Sequence, residues 1–286
     1  MKIWDRATGE YTQEVSSKKL RFLYNKKVGR FFLKFFVSHI CAKMASKFIR
    51  SSFSRRRMNK FIKNNEIDLN NFEDKHYKSY NDVFTRKLKS HLIDIDYDED
   101  RFIAPADSKL SIYPIKEDLM VNIKDSDYTL NEMVENNIDL TEFSNGLCLI
   151  FRLSAYDYHR YCYVDSGSLI DSYHVKGKLH TVQSISDDYE IYKKNSRVVS
   201  ILDTKNFSKI IQIEVGAMAV GRIINHPLSN FEKGEEKGFF ELNGSTIVIL
   251  VKDNVIKIDD DILEHNDKDI ETKVRYGEGI ASKISS

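Results

Sequence analysis

Four short stretches carry side chains able to do chemistry. They are Asp107 in Ala104-Pro-Ala-Asp-Ser108, His159 in Asp157-Tyr-His-Arg-Tyr-Cys162, His180 in Lys178-Leu-His-Thr-Val182, and Ser245 in Gly244-Ser245-Thr246. Each alone has an ordinary reading. Pro-x-Asp before a strand is a turn or a cap. A lone histidine in an apolar stretch is more often structural than catalytic. Asn243-Gly244 between Phe239–Leu242 and Thr246–Val251 predicts a type I′ hairpin. Taken together, however, Asp, His and Ser at distant positions are the parts of an orienter, base and nucleophile set, for which spacing along the chain is immaterial. Ser245 does not stand in a nucleophile elbow, which argues against a hydrolase. A serine directly after a glycine in a tight turn can instead attack the carbonyl that precedes it. Gly244 has no side chain to block that approach and tolerates a distorted geometry. The stretch is thus either a turn alone or a bond that the protein breaks by itself, between residues 244 and 245.

The elements that must position these residues can be read from pattern. The chain has 286 residues, 41% hydrophobic and 30% charged, with a formal net charge of +1. It is long enough for a substantial core, and its charge balance implies no nucleic-acid partner. Residues 1–15 are polar and read as loosely ordered. From Lys18 to Lys63 acidic residues vanish and basic ones recur, ending in Arg55-Arg56-Arg57, Lys60 and Lys63. Phe32, Phe36, Ile40 and Met44 fall four apart, which predicts one apolar helical face. Lys34, Lys43 and Lys47 interrupt the run, so a membrane-spanning helix is not expected. An amphipathic, cation-flanked helix of this kind suits the interface of an anionic membrane, although a core-packed helix with a solvated basic rim has the same pattern.

Asp68 to Asp98 reads as helical with mixed charge. Beyond Arg101 the texture is short β runs: 110–113, 147–153, 161–164, 168–175, 198–202, 210–215, 217–224, 239–242 and 246–251. Residues 128–136 and 187–194 read as short helices. The fold class is therefore α+β, a helical N-terminal region followed by a mainly antiparallel β body. The division expected is a basic, helical, membrane-associating region over 1–98 and a β-rich catalytic domain over 99–286. The three cysteines, Cys41, Cys148 and Cys162, are widely spaced and read as reduced thiols, and no Cys/His cluster predicts a metal site.

The order PAD, YHR, GST resembles the phosphatidylserine decarboxylase family. Phe84-Thr-Arg-Lys-Leu88 is similar to its Phe-x-Arg-x-Leu segment, and Asn195-Ser-Arg197 to its Asn-x-Arg strand. Val215-Gly-Ala-Met-Ala-Val-Gly221 is similar to its Val-Gly-Ala-x-x-Val-Gly strand. Lys233-Gly-Glu-Glu-Lys-Gly-Phe239 and Tyr276-Gly-Glu-Gly-Ile280 also fit. The resemblance covers residues 78–280.

It implies a proenzyme. Ser245 would attack the Gly244 carbonyl and the peptide bond would become an ester. Elimination and loss of ammonia would then leave a covalent pyruvate, a pyruvoyl group, on the short α chain that starts at former Ser245. The β chain would be residues 1–244. The pyruvoyl ketone would form a Schiff base with phosphatidylserine and draw out CO₂, with no metal. Asp107 would orient the histidine that deprotonates Ser245, and His159 would be that base. The family pattern YHRxH carries a second histidine where this chain has Cys162. The resemblance leaves three outcomes: His159 serves both steps through a pKa near neutrality, His180 supplies the missing imidazole, or the protein does not mature.

The partners implied are phosphatidylserine in anionic membranes and the protein's own two chains, with a homo-oligomer left open. The location implied is peripheral, on the cytoplasmic face of the cell membrane. Two competing readings are a non-processing relative that binds anionic lipid surfaces and a pyruvoyl decarboxylase for a soluble amino acid. The basic, aromatic segment speaks against the latter.

Overall fold

The computed structural model describes residues 1–14, 18–36, 38–73, 76–123, 126–135, 138–178, 180, 191–217, 222–241 and 245–284. The helices are α1 (Lys18–Asn25), α2 (Lys27–Phe36), α3 (His39–Ile49), α4 (Arg55–Asn64), α5 (Tyr80–Phe84), α6 (Leu130–Val134), α7 (Ile191–Lys194) and α8 (Asp260–Asn266). The strands are β1 (Lys2–Asp5), β2 (Glu10–Gln13), β3 (Arg101–Ile103), β4 (Ser108–Pro114), β5 (Met120–Ile123), β6 (Ser126–Thr129), β7 (Leu147–Leu153), β8 (Arg160–Cys162) and β9 (Gly167–Val175). They continue as β10 (Arg197–Thr204), β11 (Ser208–Val215), β12 (Arg222–Asn225), β13 (Asn230–Phe231), β14 (Glu236–Glu241), β15 (Ser245–Val251), β16 (Ile256–Ile258), β17 (Glu271–Val274) and β18 (Gly279–Lys283). The class is α+β, as the pattern predicts.

Ten strands form one sheet in the order β13-β9-β10-β11-β15-β7-β4-β17-β1-β2. Every neighbouring pair is antiparallel except β1 with β17. Side chains alternate between the faces of a strand, and here both faces are covered. Leu149, Phe151, Leu153, Ile247 and Ile249 enter one core, while Cys148, Ile150, Val248 and Leu250 enter the other. That double burial is why Thr246–Val251 is an unbroken apolar run rather than an alternating one. The first core is closed by the small sheet β12-β14-β8, which contributes Tyr161, Cys162 and Phe240. Ser245 has the same parity as Ile247 and so belongs to the face that this small sheet covers.

The helical unit docks through a small cluster of its own. Ile49 and Met58 pack with Tyr80, Val83 and Phe84 of α5. Ser54 Oγ accepts the Tyr80 N–H at 2.8 Å. Arg50, at the end of α3, makes an ion pair with Glu241, the last residue of β14.

Four expectations need correction. Residues 2–5 and 10–13 are not loose, because β1 adds in parallel to β17 and β2 closes the sheet edge. Asp68–Asp98 is mostly non-helical. It contains α5 and two single 3₁₀ turns, Leu69–Asn71 and Ser90–Leu92. The Asp68 carboxylate accepts the Asn70 N–H, and a Ser79/Asp82 capping box starts α5, so local side-chain bonds divide the segment into short pieces. Phe32, Phe36, Ile40 and Met44 do not share one helix, since α2 ends at Phe36 and Ser38 caps a new helix by accepting from Cys41 N–H.

The Asn-Gly hairpin is also absent as a pairing. Residues 242–244 lie outside the described residues, but β14 pairs with β12 and β8 whereas β15 pairs with β11 and β7. The chain passes from one sheet to another between Glu241 and Ser245. The expected strand at 217–224 is β12 from Arg222, with 218–221 outside the described residues. The expected helix at 187–194 is α7 from Ile191, with 187–190 likewise outside.

Candidate active site

The three central strands β4, β7 and β15 end together. Lys109 faces Arg152, Thr246 faces Arg152 from the other side, and Ser245 faces Leu153. Asp107 precedes β4, Ser154 follows β7 and Ser245 opens β15. Residues far apart in sequence therefore meet at one edge of the sheet.

Asp107 lies in the turn between β3 and β4. The turn is pinned on two sides. Ala104 N–H donates to the Glu278 carbonyl at 2.8 Å, Gly277 N–H donates to the Ala104 carbonyl at 2.9 Å, and Cys162 N–H donates to the Pro105 carbonyl at 2.9 Å. Thus three motifs separated in sequence are stitched by backbone bonds. Gly277 has φ +82°, and a Cβ there would lie 2.5 Å from the Asp94 carbonyl oxygen, so the turn needs glycine. Asp107 Oδ1 accepts the Tyr276 N–H at 2.9 Å. Burial pushes the carboxyl above its ordinary range, partly offset by that bond. The hydrogen bond of Asp107 goes to Tyr276 and not to His159.

His159 stands at the end of the loop from β7 to β8. Asp157 folds this loop by accepting the Ser154 N–H at 2.7 Å and the Lys109 ammonium. Lys109 Nζ also donates to Ser154 Oγ at 2.9 Å. The Ser154 carbonyl, so fixed, lies 3.0 Å from His159 Nε2. An imidazole facing a carbonyl must donate, so Nε2 carries the proton and Nδ1 the lone pair. Nδ1 is buried and has no partner among the described residues. The ring lies 4.1 Å from the Phe84 ring. Burial, helped by the Arg86 and Lys109 cations, pushes the imidazole down to about 3. His159 is therefore neutral, and the near-neutral value expected from its residue type is not met in the uncut chain, because desolvation penalises the imidazolium.

The Phe84–Leu88 segment braces this loop. Arg86 donates to the Tyr156 carbonyl at 3.3 Å, Arg160 to the Thr85 carbonyl at 2.8 Å, and the Tyr158 hydroxyl accepts the Leu88 N–H at 3.1 Å. Arg86 and Asp157 lie within the quoted motifs but without a role of their own, and Lys109 lies outside them. The signal for Lys109 is a charge at an inward position of an apolar stretch, Ser108-Lys-Leu-Ser-Ile.

Ser245 is fully buried opposite Leu153. Gly244 lies outside the described residues. On the β11 side, the Asn195 amide donates to the carbonyls of His180 and Gly216, and the preceding Val215 faces Thr246. His180 Nδ1 lies 3.4 Å from the Tyr24 hydroxyl of α1, and burial pushes this imidazole down to about 4. His159 is thus held from the β7 side of β15, whereas His180 is tied by its backbone to Asn195 on the β11 side and its ring faces Tyr24. Cys162 is buried, and burial pushes its thiol up to about 12. Among the described residues no three His, Cys, Asp or Glu side chains gather to hold a metal ion.

The sequence profile of the family described as phosphatidylserine decarboxylase matches residues 80–282. A phosphatidylserine decarboxylase proenzyme 2 of Clostridium acetobutylicum is 45% identical over 272 residues, covering 94% of each chain. A phosphatidylserine decarboxylase proenzyme of Clostridium perfringens is 36% identical over 293 residues, covering 99% of this chain and 100% of its own. One of Ruminiclostridium cellulolyticum is 36% identical over 294 residues, covering 99% of this chain and 98% of its own.

Proposed function

The chain belongs to the phosphatidylserine decarboxylase family, and from that premise we propose that it is a self-processing enzyme converting phosphatidylserine to phosphatidylethanolamine and CO₂. The observation that carries the reading is the neutral His159 held by the Ser154 carbonyl, one residue past the Leu153 that faces Ser245. Its bare Nδ1 is the group able to take the hydroxyl proton. Ser245 Oγ adds to the Gly244 carbonyl carbon, the Gly244–Ser245 C–N bond breaks, and the proton passes to the freed nitrogen, leaving an ester. Loss of the residue 245 Cα proton expels the Gly244 carboxylate. Hydrolytic loss of ammonia then leaves the pyruvoyl group.

Two features fit such a group. Ser245 is shielded from water, and an orphaned imidazole nitrogen lies in the adjacent loop. A ketone joined to a peptide carbonyl supplies an electron sink when CO₂ leaves. The chain's own part is to exclude water and to hold and return one proton at His159. We assign both proton steps to His159, because a Cys162 thiol pushed up to about 12 stays protonated and is no substitute for imidazole.

Residues 18–63 supply the membrane contact in this reading, peripheral and on the cytoplasmic face. Among the described residues, thirteen large hydrophobic side chains are exposed, and seven of them fall between Phe22 and Phe53. Among the described residues no helix is long and apolar enough to cross a membrane. Cys162 favours a second reading, a non-processing protein that binds anionic lipid surfaces. The deciding experiment is CO₂ release from phosphatidylserine vesicles against free serine, with Ser245→Ala as control. Release from vesicles alone, abolished together with cleavage in the variant, supports the enzyme. Vesicle binding without CO₂ supports the second reading.

A further inference from the structure

Beside the loop that carries His159 lies a cavity of about 330 Å³. Its walls include Arg57, Lys60 and Asn64 of α4, Tyr80 of α5, and Ala155 and Tyr156 of the loop. α4 carries five cations, Arg55, Arg56, Arg57, Lys60 and Lys63, and no acidic residue. Among the described residues none of the five forms an ion pair or hydrogen bond through its side chain. Only Arg57 and Lys60 line the cavity, and their i, i+3 spacing puts them on one face. The Arg57 guanidinium is steered by the Tyr80 ring, 5.3 Å from its centroid, which leaves the N–H fork available.

Two unpaired cations and an amide around one cavity suit an anion with several acceptor oxygens, and a guanidinium suits a phosphate best. The aromatic wall favours an organic phosphodiester over a bare ion. Location narrows the choice further. The Tyr156 ring is 4.8 Å from Lys109 Nζ, which is 2.9 Å from Ser154 Oγ, and Ser154 holds His159. In a serine phospholipid the phosphorus is three bonds from the carbon that bears the amine and carboxylate, so a phosphate site must lie near the reacting centre. The Ala155–Tyr156 wall of this cavity belongs to the same loop, between Leu153 opposite Ser245 and His159, that carries the proposed base. Phe53, 85% exposed, lies in the turn two residues before α4 begins and offers an apolar contact for the bilayer near the helix that carries Arg57 and Lys60.

We propose that the cavity between α4 and the Ala155–Tyr156 loop is the subsite for the phosphodiester of the lipid headgroup, with Arg57 and Lys60 as its holding cations. The identity of the lipid rests on the decarboxylase reading, whereas the anion site does not. The test is calorimetric titration of the full-length protein with soluble glycerophosphoserine at fixed ionic strength. The double variant Arg57→Gln/Lys60→Gln should bind at least tenfold more weakly than the parent. Arg56→Gln/Lys63→Gln, which removes the same charge from the same helix outside the cavity, should stay within twofold. Equal loss in both variants would reduce the effect to a diffuse field and overturn the site. Inorganic phosphate binding as tightly as glycerophosphoserine would overturn the headgroup assignment in favour of free phosphate. On phosphatidylserine vesicles the first variant should still cut itself and show a KM raised at least fivefold with kcat within threefold. An unchanged KM would contradict the proposal. If the parent protein releases no CO₂, the decarboxylase reading fails while the titration still decides the anion site.

Discussion

His159 Nε2 sits 3.0 Å from the backbone carbonyl oxygen of Ser154, and the residue before Ser154 faces Ser245 across the β7–β15 ladder. In the proposed reading the base is thus aimed by the main chain of the strand next to the nucleophile. Because the carbonyl fixes the tautomer, the nitrogen left over is a base and not a donor.

His159→Ala should therefore leave an uncut chain, slowed by about 100-fold or more, the usual contribution of a general base. His180→Ala should cut at close to the parental rate. A time course on denaturing gels measures both. Cleavage that persists in the first variant and stops in the second would move the base to the β11 side.

The pH dependence follows from burial. An imidazole acts as a base only when neutral, which holds above its pKa. With His159 pushed down to about 3, the neutral form is complete well below its ordinary value of 6.5. Self-cleavage should then be flat between about pH 5 and 8. A rate that halves near pH 6.5 would show that the imidazole is solvated. The linkage has a definite sign. Between the folded and unfolded pKa values the unfolded chain binds the extra proton, so His159 makes stability fall as pH drops through about 6.5.

Lys109 and Asp157 form a buried pair that sets the Ser154 turn. Removing one partner strands the other charge. Lys109→Met should cost roughly 3–5 kcal/mol in urea unfolding and slow self-cleavage, because the Ser154 carbonyl is then unsupported. Lys109→Met/Asp157→Asn should recover part of the stability without the rate. Equal rates in the parent and both variants would separate the pair from the positioning of His159.

Membrane attachment should be electrostatic and shallow. Vesicles rich in anionic lipid should pellet the protein in dilute buffer, and about 1 M salt, where screening acts within about 3 Å, should release it. Phe31→Ser/Phe53→Ser should weaken the attachment by removing two exposed apolar contacts, each worth about 1.5–3 kcal/mol when fully buried. Binding indifferent to lipid charge and to salt would contradict the interfacial role of residues 18–63.

Much of the β body was legible because its central strands are buried on both faces and read as continuous apolar runs such as Thr246–Val251. Elsewhere, tertiary context overrode local signals. Glu10–Gln13 looks like a polar tail, yet an edge strand needs only backbone pairing on one side. Asn243-Gly244 is a strong turn signal, yet its flanking strands belong to different sheets. Asp107, His159 and Ser245 could be named as candidates from type and motif. That Asp107 would bond Tyr276 N–H, and that Asp157 and Lys109 would build the histidine's support, depends on long-range register that no local pattern encodes.

The central claim is scission at the Gly244–Ser245 bond by Ser245, and intact mass of the purified protein under denaturing conditions tests it most directly. The account predicts two chains, residues 1–244 and 245–286, the smaller one lighter by one ammonia than its serine-started form and reducible by borohydride. A single continuous chain of the full 286-residue mass, with no carbonyl to trap, would contradict it.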